Sequence, residues 1–312
     1  MFVGNVWLSI IHRLLRRHYA SGKLLFTQNF TIMNNNQNEN NDNVKSIHDF
    51  DFNIICEYFS CLDRQGPGSD MMTRKALNAV PAIGKGCVVA DLGCGTGSQT
   101  LQLLHGTEAI VKAVDLFPLF LKKLSERSAI AGVGDRLEAI AGDMGDLPFA
   151  PASLDMIWCE GAIYNIGFQH GINLWRQYLK QNGWLVVSDA VWFTEDRPDE
   201  ISKFWHDAYP EIDTIANKVE QLRMAGYEEI KTMRLPDDCW TENFYEPQCE
   251  AQRRFLARYP DNATAADLIA NQRHEAALFE RYHEYYGYSF FIARKKEFYL
   301  GRSELSGAAP YL

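Results

Sequence analysis

An apolar run followed by three glycines at alternate positions constrains this chain more than any other stretch. The run spans residues 87–92, and the glycines are Gly93, Gly95 and Gly97. A buried parallel strand reads as a continuous apolar run, and glycines after it let the backbone approach a ligand where a Cβ would clash. The residues after Gly97 have helical spacing. The stretch therefore predicts a strand, a tight turn and a helix, the first unit of a doubly wound α/β sheet.

The same alternation of short apolar runs and helical segments continues downstream. Further strands are predicted at 110–115, 137–141, 154–159, 184–189, 228–233 and 288–293, with helices at 119–131 and 169–180. Such alternation is typical of a mostly parallel sheet covered on both faces. We therefore expect an α/β fold with a doubly wound, mostly parallel, seven-stranded sheet.

The chain divides into an extension, one domain and a tail. We expect residues 1–45 to be a disordered or mis-called N-terminal extension, because residues 34–43 are all Asn, Gln, Glu or Asp, a composition typical of disorder. Residues 1–32 hold four basic and no acidic residues, so they are either a targeting segment or upstream sequence before a start at Met33. The domain is predicted at 46–296, with insertions 193–216 and 236–284 forming a helical lid, and a tail at 297–312.

The composition of the chain limits the classes of partner that it can be expected to bind. A net charge of −9 argues against a nucleic-acid surface, which needs clustered Lys and Arg. The seven cysteines form no Cys-x-x-Cys pair, which favours reduced thiols and a cytoplasmic location. No apolar run reaches the length of a membrane span, and no cluster has metal-ligand spacing. We expect a small-molecule substrate, no nucleic acid, no membrane and no metal, and the oligomeric state stays open.

Two acidic residues flank the glycine turn in informative ways. Asp91 lies two residues before Gly93, where its carboxylate would repel a pyrophosphate and suit a cation or an ammonium group. The Gly-x-Gly-x-Gly spacing also differs from the dinucleotide fingerprint Gly-x-Gly-x-x-Gly. Asp115 ends the second predicted strand, where an acid hydrogen-bonds ribose hydroxyls in dinucleotide folds. The alternative role for Asp115 is a helix N-cap.

Two motifs carry a family resemblance. The stretch VADLGCGTG at 89–97 closely resembles the first motif of class I S-adenosylmethionine-dependent methyltransferases. The run GDMGDLPF at 142–149, followed by SLDMIW at 153–158, is similar to the subgroup that includes the ubiquinone and menaquinone C-methylases. The resemblance implies S-adenosylmethionine as cofactor and methyl transfer to a small molecule by in-line displacement at the sulfonium methyl.

The resemblance also implies cofactor-binding residues. In that family the acidic residue and the glycines hold the amino acid end of the cofactor, an acid after the second strand meets the ribose, and Asp143 and Met144 would meet the adenine. A glycine-containing turn before the domain would cover the cofactor. The implied cofactor residues are Gln65, Gly66, Asp91, Gly93, Cys94, Gly95, Asp115, Leu116, Asp143, Met144 and Glu160.

The catalytic residues and the acceptor pocket are less constrained. A base is needed only if the acceptor must lose a proton, and the candidates are Glu160, Tyr164 and His170. Glu160 has two other interpretations, a pocket residue and a structural salt bridge. Aromatic side chains of the insertions and the last strand either line the acceptor pocket or pack as core. They are Trp205, Tyr209, Trp240, Tyr245, Tyr285 and Tyr286.

Other functions remain open at this point. Arsenite-methylating enzymes share such a sheet, and the thiols of Cys61, Cys159 and Cys249 would have to converge for metalloid capture. A non-enzymatic cofactor-binding regulator is a further alternative. The segment EGAIYNIG at 160–167 departs from the His-rich ending of the quinone enzymes, which argues against a quinone acceptor.

Overall fold

The computed structural model describes residues 52–297. The predicted extension at 1–45 and the tail from residue 298 lie outside the described residues. Within the described range, no helix combines the length and the apolar character that crossing a bilayer requires.

A single mixed sheet organises the domain. Its strands are β1 (Val88–Leu92), β2 (Ile110–Asp115), β3 (Leu137–Ala141), β4 (Leu154–Glu160), β5 (Leu179–Trp192), β6 (Asp213–Thr214), β7 (Tyr227–Arg234) and β8 (Tyr286–Lys295). The order is β3-β2-β1-β4-β5-β8-β7, with β6 paired to the end of β5. Pairs among β1–β6 are parallel, whereas β8 runs antiparallel to both β5 and β7. The predicted fold class is confirmed, and the two-residue β6 brings the strand count to eight.

Nine α-helices are described between and after these strands. They are α1 (Phe52–Ser60), α2 (Asp70–Leu77), α3 (Ser98–Gly106), α4 (Pro118–Ile130), α5 (Phe168–Trp175), α6 (Asp199–Ala208), α7 (Ile215–Met224), α8 (Glu246–Arg258) and α9 (Ala263–Tyr282). The helix predicted at 169–180 ends earlier, because β5 already begins at Leu179, which pairs with Leu154 of β4. Ser69 caps α2 by accepting a hydrogen bond from the Met72 backbone N–H.

The apolar strands are buried because helices cover both faces of the sheet. On one face Val89 and Met156 pack with Leu103 of α3. On the other face Ala90 and Ile157 pack in one cluster that includes Trp175. The central strands therefore lack the alternation of apolar and polar residues that a sheet with one solvated face shows.

A second layer of helices lies over one end of the sheet. Residues of α1, α8 and α9 form a hydrophobic cluster of their own that includes Ile55, Tyr58, Phe255 and Leu268. The Tyr58 hydroxyl donates to Gln248 Oε1 at 2.8 Å, which ties α1 to α8. We call α1, α8 and α9 the helical cap. Two of its three helices come from the insertion predicted at 236–284.

Candidate functional site

A cavity lies at the carboxyl ends of β1, β2, β3 and β4, beneath residues of the helical cap. Residues at these strand ends or directly after them, including Gly93, Asp115, Asp143 and Glu160, line it together with Cys56 and other cap residues. Strands β1 and β4 are neighbours in the sheet but not in the sequence, and this is the position where open α/β sheets bind ligands.

The glycine turn forms one wall of the cavity in a conformation that side chains disfavour. Gly93 has φ 71° and Gly95 has φ 55°. A Cβ on Gly93 would lie 2.5 Å from the Cβ of Ala162, and a Cβ on Gly95 would lie 2.1 Å from Gln65 Oε1. The absence of side chains therefore lets Ala162 and Gln65 pack directly against this turn, which we call the glycine cradle.

Asp115 points into the cavity and also fixes the glycine turn. Its Oδ2 accepts a hydrogen bond from the Gly95 N–H at 2.9 Å, and its Oδ1 accepts one from the Phe117 N–H at 2.9 Å. Burial raises the pKa of this carboxyl to about 6, while the backbone donors oppose that shift. Phe117, not Asp115, is the N-cap of α4, so the alternative capping role is not what the structure shows. Remaining lone pairs on both oxygens are available to hydroxyl donors.

The loop after β3 supplies an acid and a flexible apolar side chain. The Asp143 Oδ1 accepts a hydrogen bond from the Gly145 N–H at 2.7 Å, and burial raises the pKa of its carboxyl. The Met144 carbonyl accepts from Trp175 Nε1 at 2.8 Å, which holds the loop against α5. Leu116 and Cys94 also line the cavity.

Asp91 is not among the residues that line the cavity, so the expectation of direct ligand contact is corrected. Its side chain is fully buried and accepts a hydrogen bond from Thr100 Oγ1 at 2.6 Å. Neighbouring residues of a strand alternate faces, so Asp91 shares the face of Val89, beneath α3. Gln99 Nε2 lies 3.5 Å from the other Asp91 oxygen, and Gln99 itself lines the cavity. Gln99 was not predicted from the sequence, although it lies directly after the glycine turn as the second residue of α3.

Glu160 forms an ion pair that also lines the cavity. Its Oε1 accepts hydrogen bonds from Thr73 Oγ1 at 2.7 Å and Trp158 Nε1 at 2.9 Å. Its Oε2 lies 3.2 Å from Arg64 Nη1, and both side chains are largely buried. Of the three interpretations, the pocket residue and the salt bridge are both present. A carboxylate whose oxygens already accept from three donors is poorly placed to accept a proton from an acceptor as well.

The turn before α2 reaches the glycine turn through Gln65. The Gln65 Oε1 accepts from the Thr96 N–H at 2.9 Å. Its Nε2 donates to the Phe59 carbonyl near the end of α1 at 3.1 Å and to the Leu62 carbonyl just after α1 at 3.0 Å. Gly66 and Gln65 line the cavity, as the resemblance implies. The helical cap is therefore hydrogen-bonded to the loop that forms the cavity wall.

A further group of residues completes the cavity, and most of them lie outside the recognised motifs. Tyr164 was predicted, whereas Phe244, Gln272, Glu275 and Tyr288 were not. Gln272 and Glu275 are three residues apart on α9, a spacing that places both on one helix face. Burial raises the pKa of the Glu275 carboxyl to about 7, and Tyr245 donates a long hydrogen bond to it at 3.4 Å.

The six aromatic side chains predicted for the acceptor pocket do not line this cavity, and that prediction is wrong. Four of them are at most 3% exposed within the core on the sheet: Trp205, Tyr209, Trp240 and Tyr286. Trp240 stacks on Phe279 with ring centroids 4.5 Å apart. Tyr245 packs against the same core, and Tyr285 is partly exposed after α9. The rival interpretation as core therefore holds for Trp205, Tyr209, Trp240 and Tyr286, whereas Tyr285 lies neither in this core nor in the cavity.

Two further expectations are corrected. His170 is exposed on α5 and is not among the residues that line the cavity, so we do not retain it as a base. Cys159 is buried, whereas Cys61 and Cys249 are exposed. Between residues 52 and 297, no three His, Cys, Asp or Glu side chains group as a metal site would require. The convergent thiols that a metalloid acceptor needs are not formed by these three cysteines.

The strand order, the glycine cradle and the acids at the strand ends define a class I methyltransferase fold. Residues 89–183 match the family model described as a methyltransferase domain.

The chain is also similar in sequence to a methyltransferase of known activity. A malonyl-(acyl-carrier protein) O-methyltransferase from Herminiimonas arsenicoxydans is 38% identical over 191 residues, which cover 61% of this chain and 64% of that protein. The chain therefore spans less than two thirds of the length of this curated relative.

Two solved structures, each a methyltransferase in complex with S-adenosyl-L-homocysteine, have the same fold. The Geobacter sulfurreducens protein is 20% identical with a TM-score of 0.68, over 78% of this chain and 98% of that one. The Thiobacillus denitrificans protein is 21% identical with a TM-score of 0.68 and the same coverage. At this level of identity the likeness establishes the fold.

Proposed function

We propose that this protein is an S-adenosylmethionine-dependent methyltransferase that acts on a small-molecule acceptor. The observation that carries the proposal is Asp115, a buried carboxylate at the end of β2 that faces the cavity and binds the backbone of the glycine turn. In a sheet of this class that position suits the hydroxyls of a ribose. The match of residues 89–183 to a methyltransferase domain supports the same activity.

The cavity residues fit the cofactor part by part. The backbone of Gly93 and Gly95, with the Gln99 amide, would hold the amino acid end, because no Cβ fills the cradle there. Asp115 would accept hydrogen bonds from the ribose hydroxyls. Asp143 and Met144 would bind the adenine, the first by hydrogen bonding and the second by packing on the ring.

The protein's own contribution to the reaction is orientation and the exclusion of water. When bound, the cofactor supplies an electrophilic methyl group on its sulfonium. The helical cap covers the cavity, with Cys56 and Phe59 of α1 and Glu275 of α9 among its lining. Holding an acceptor in one orientation within such a cavity removes a large part of the barrier to transfer. The domain predicted at 46–296, with its cap, is the unit we propose to carry this activity.

The acceptor is proposed as a small molecule, and a quinone is disfavoured. The run at 142–149 supports kinship with the ubiquinone and menaquinone C-methylases, but Tyr164 and Asn165 line the cavity where those enzymes have a His-rich segment. The cysteine usage supports a cytoplasmic location. A non-enzymatic regulator would bind the cofactor and leave it unchanged, so the formation of S-adenosylhomocysteine with an acceptor separates the two functions.

The test is a calorimetric titration with S-adenosylmethionine of the wild type and of Gly95→Val. We expect binding by the wild type and none by the variant, because the added side chain would collide with Gln65 and displace this residue of the cavity wall. Gly84→Ala is the control, since a Cβ there meets no atom within 4 Å. A folded Gly95→Val protein that keeps the wild-type affinity would contradict the assignment of this cavity.

A further inference from the structure

Among the residues that line the cavity and have no role in the cofactor site proposed above, we consider five. They are Tyr164, Phe244, Gln272, Glu275 and Tyr288. They come from the segment after β4, the segment directly before α8, the helix α9 and the strand β8. We call them the acceptor subsite.

The carboxylate of the acceptor subsite lacks a cationic partner. Across residues 52–297, no Lys, Arg or His side chain forms an ion pair with Glu275. The guanidinium that does line the cavity, Arg64, is already bound to Glu160 and Asp70. The Glu275 side chain is partly buried, and a carboxylate withdrawn from water without a cation is unfavourable, so a proton or a bound cation would stabilise it.

Aromatic side chains line the same cavity as this carboxylate. The Tyr245 hydroxyl donates to Glu275 at 3.4 Å, and the rings of Tyr164, Phe244 and Tyr288 lie along the cavity wall with Glu275. Tyr288 packs against Trp240 with ring centroids 5.0 Å apart, and Phe244 packs against Tyr245 at 5.2 Å. These neighbours fix the rings in place. An organic cation over a fixed ring gains from the negative face of the ring, and more when it is removed from water.

The other charged side chains that line the cavity also favour a cationic ligand. Asp115, Asp143, Glu160 and Glu275 all line it, and one guanidinium opposes them. The cavity is therefore electronegative, which attracts cations and repels carboxylates and phosphates.

We infer that the acceptor carries an ammonium group, and that Glu275 binds this group within a wall formed by Tyr164, Phe244 and Tyr288. That the bound molecule is the methyl acceptor rests on the proposed function. That it carries a positive charge rests on the residues of the acceptor subsite alone. It identifies the substrate class as amines of small-molecule size and assigns Glu275 as the residue that selects them.

The test measures the binding of three probes of similar size and different charge: benzylamine, benzyl alcohol and benzoate. The full chain is titrated with each probe at pH 8, with and without saturating S-adenosylhomocysteine. We expect benzylamine to bind roughly tenfold more tightly than benzyl alcohol, the ratio for one charge-assisted bond, and benzoate not to bind.

Variants assign the selectivity to the subsite. Glu275→Gln should bind benzylamine and benzyl alcohol equally, whereas Asp267→Asn, an exposed acid on the same helix, should keep the preference. Phe244→Leu removes one ring and should weaken benzylamine more than benzyl alcohol, which keeps the test valid if Glu275→Gln fails to fold. Equal affinity for the three probes, or an unchanged preference in either subsite variant, overturns the inference. Loss of S-adenosylhomocysteine binding with the cation preference intact would instead contradict the proposed function.

Discussion

Replacing Glu160 by Gln tests whether this residue is a structural ion pair at the cavity wall. The amide oxygen of Gln can still accept from Thr73 and Trp158, but its NH₂ group would face the Arg64 guanidinium. Arg64 is 9% exposed and keeps Asp70 as a partner, so its charge is only partly compensated. The loss of one charge-assisted hydrogen bond and the new contact between donors should cost about 2–3 kcal/mol of the free energy of unfolding.

Asp70→Asn is the matched control, because Asp70 binds the same guanidinium from a side chain that is 52% exposed. An exposed ion pair contributes at most about 1 kcal/mol. Urea unfolding of both variants and of the double variant gives the two costs and their coupling. The argument is refuted if Glu160→Gln costs no more than Asp70→Asn, since burial of the pair would then have no energetic consequence.

Two further predictions follow from the pKa values and the packing described above. Cofactor affinity should fall as the pH drops below about 6, because protonation of Asp115 removes a hydroxyl acceptor. Asp115→Asn should bind at least about tenfold more weakly at pH 8 and show no such pH dependence in calorimetry. Trp240→Ala should lower the free energy of unfolding by about 3–5 kcal/mol, because Trp240 is 1% exposed and stacked on Phe279. Tyr285→Phe, at a partly exposed position, should change it by less than about 0.5 kcal/mol, and similar melting of the two variants would contradict the core assignment.

The parts of the fold that follow from local patterns could be predicted from the sequence. Ile110–Asp115 and Leu137–Ala141 have the predicted bounds, because each is a short run between clear turn residues. The end of α5 was misplaced because Leu179 and Lys180 have no local feature that distinguishes a helix from a strand. Their pairing with β4 decides it.

The cavity residues that lie at strand ends, or in the turns after them, could be predicted from the sequence. Asp115, Asp143 and Glu160 follow strands whose carboxyl ends meet at one edge, so their convergence follows from the topology. Phe244 and Glu275 reach the same cavity only through the packing of the cap, which no spacing in the sequence encodes. The aromatic residues were misassigned for a related reason, since aromatic content alone does not distinguish a ligand wall from a core.

The two-sided hydrogen bonding of Gln65 has a consequence for the order of events in a catalytic cycle. One amide group holds both the chain beyond α1 and the Thr96 N–H of the glycine turn. If α1 moved away from the sheet, this connection to the cradle would break, so we expect access to the cavity and release of a bound nucleotide to be coupled. We expect that a ligand held by the cradle slows the exchange of anything beneath the cap, and that the spent nucleotide leaves only when the entrance opens.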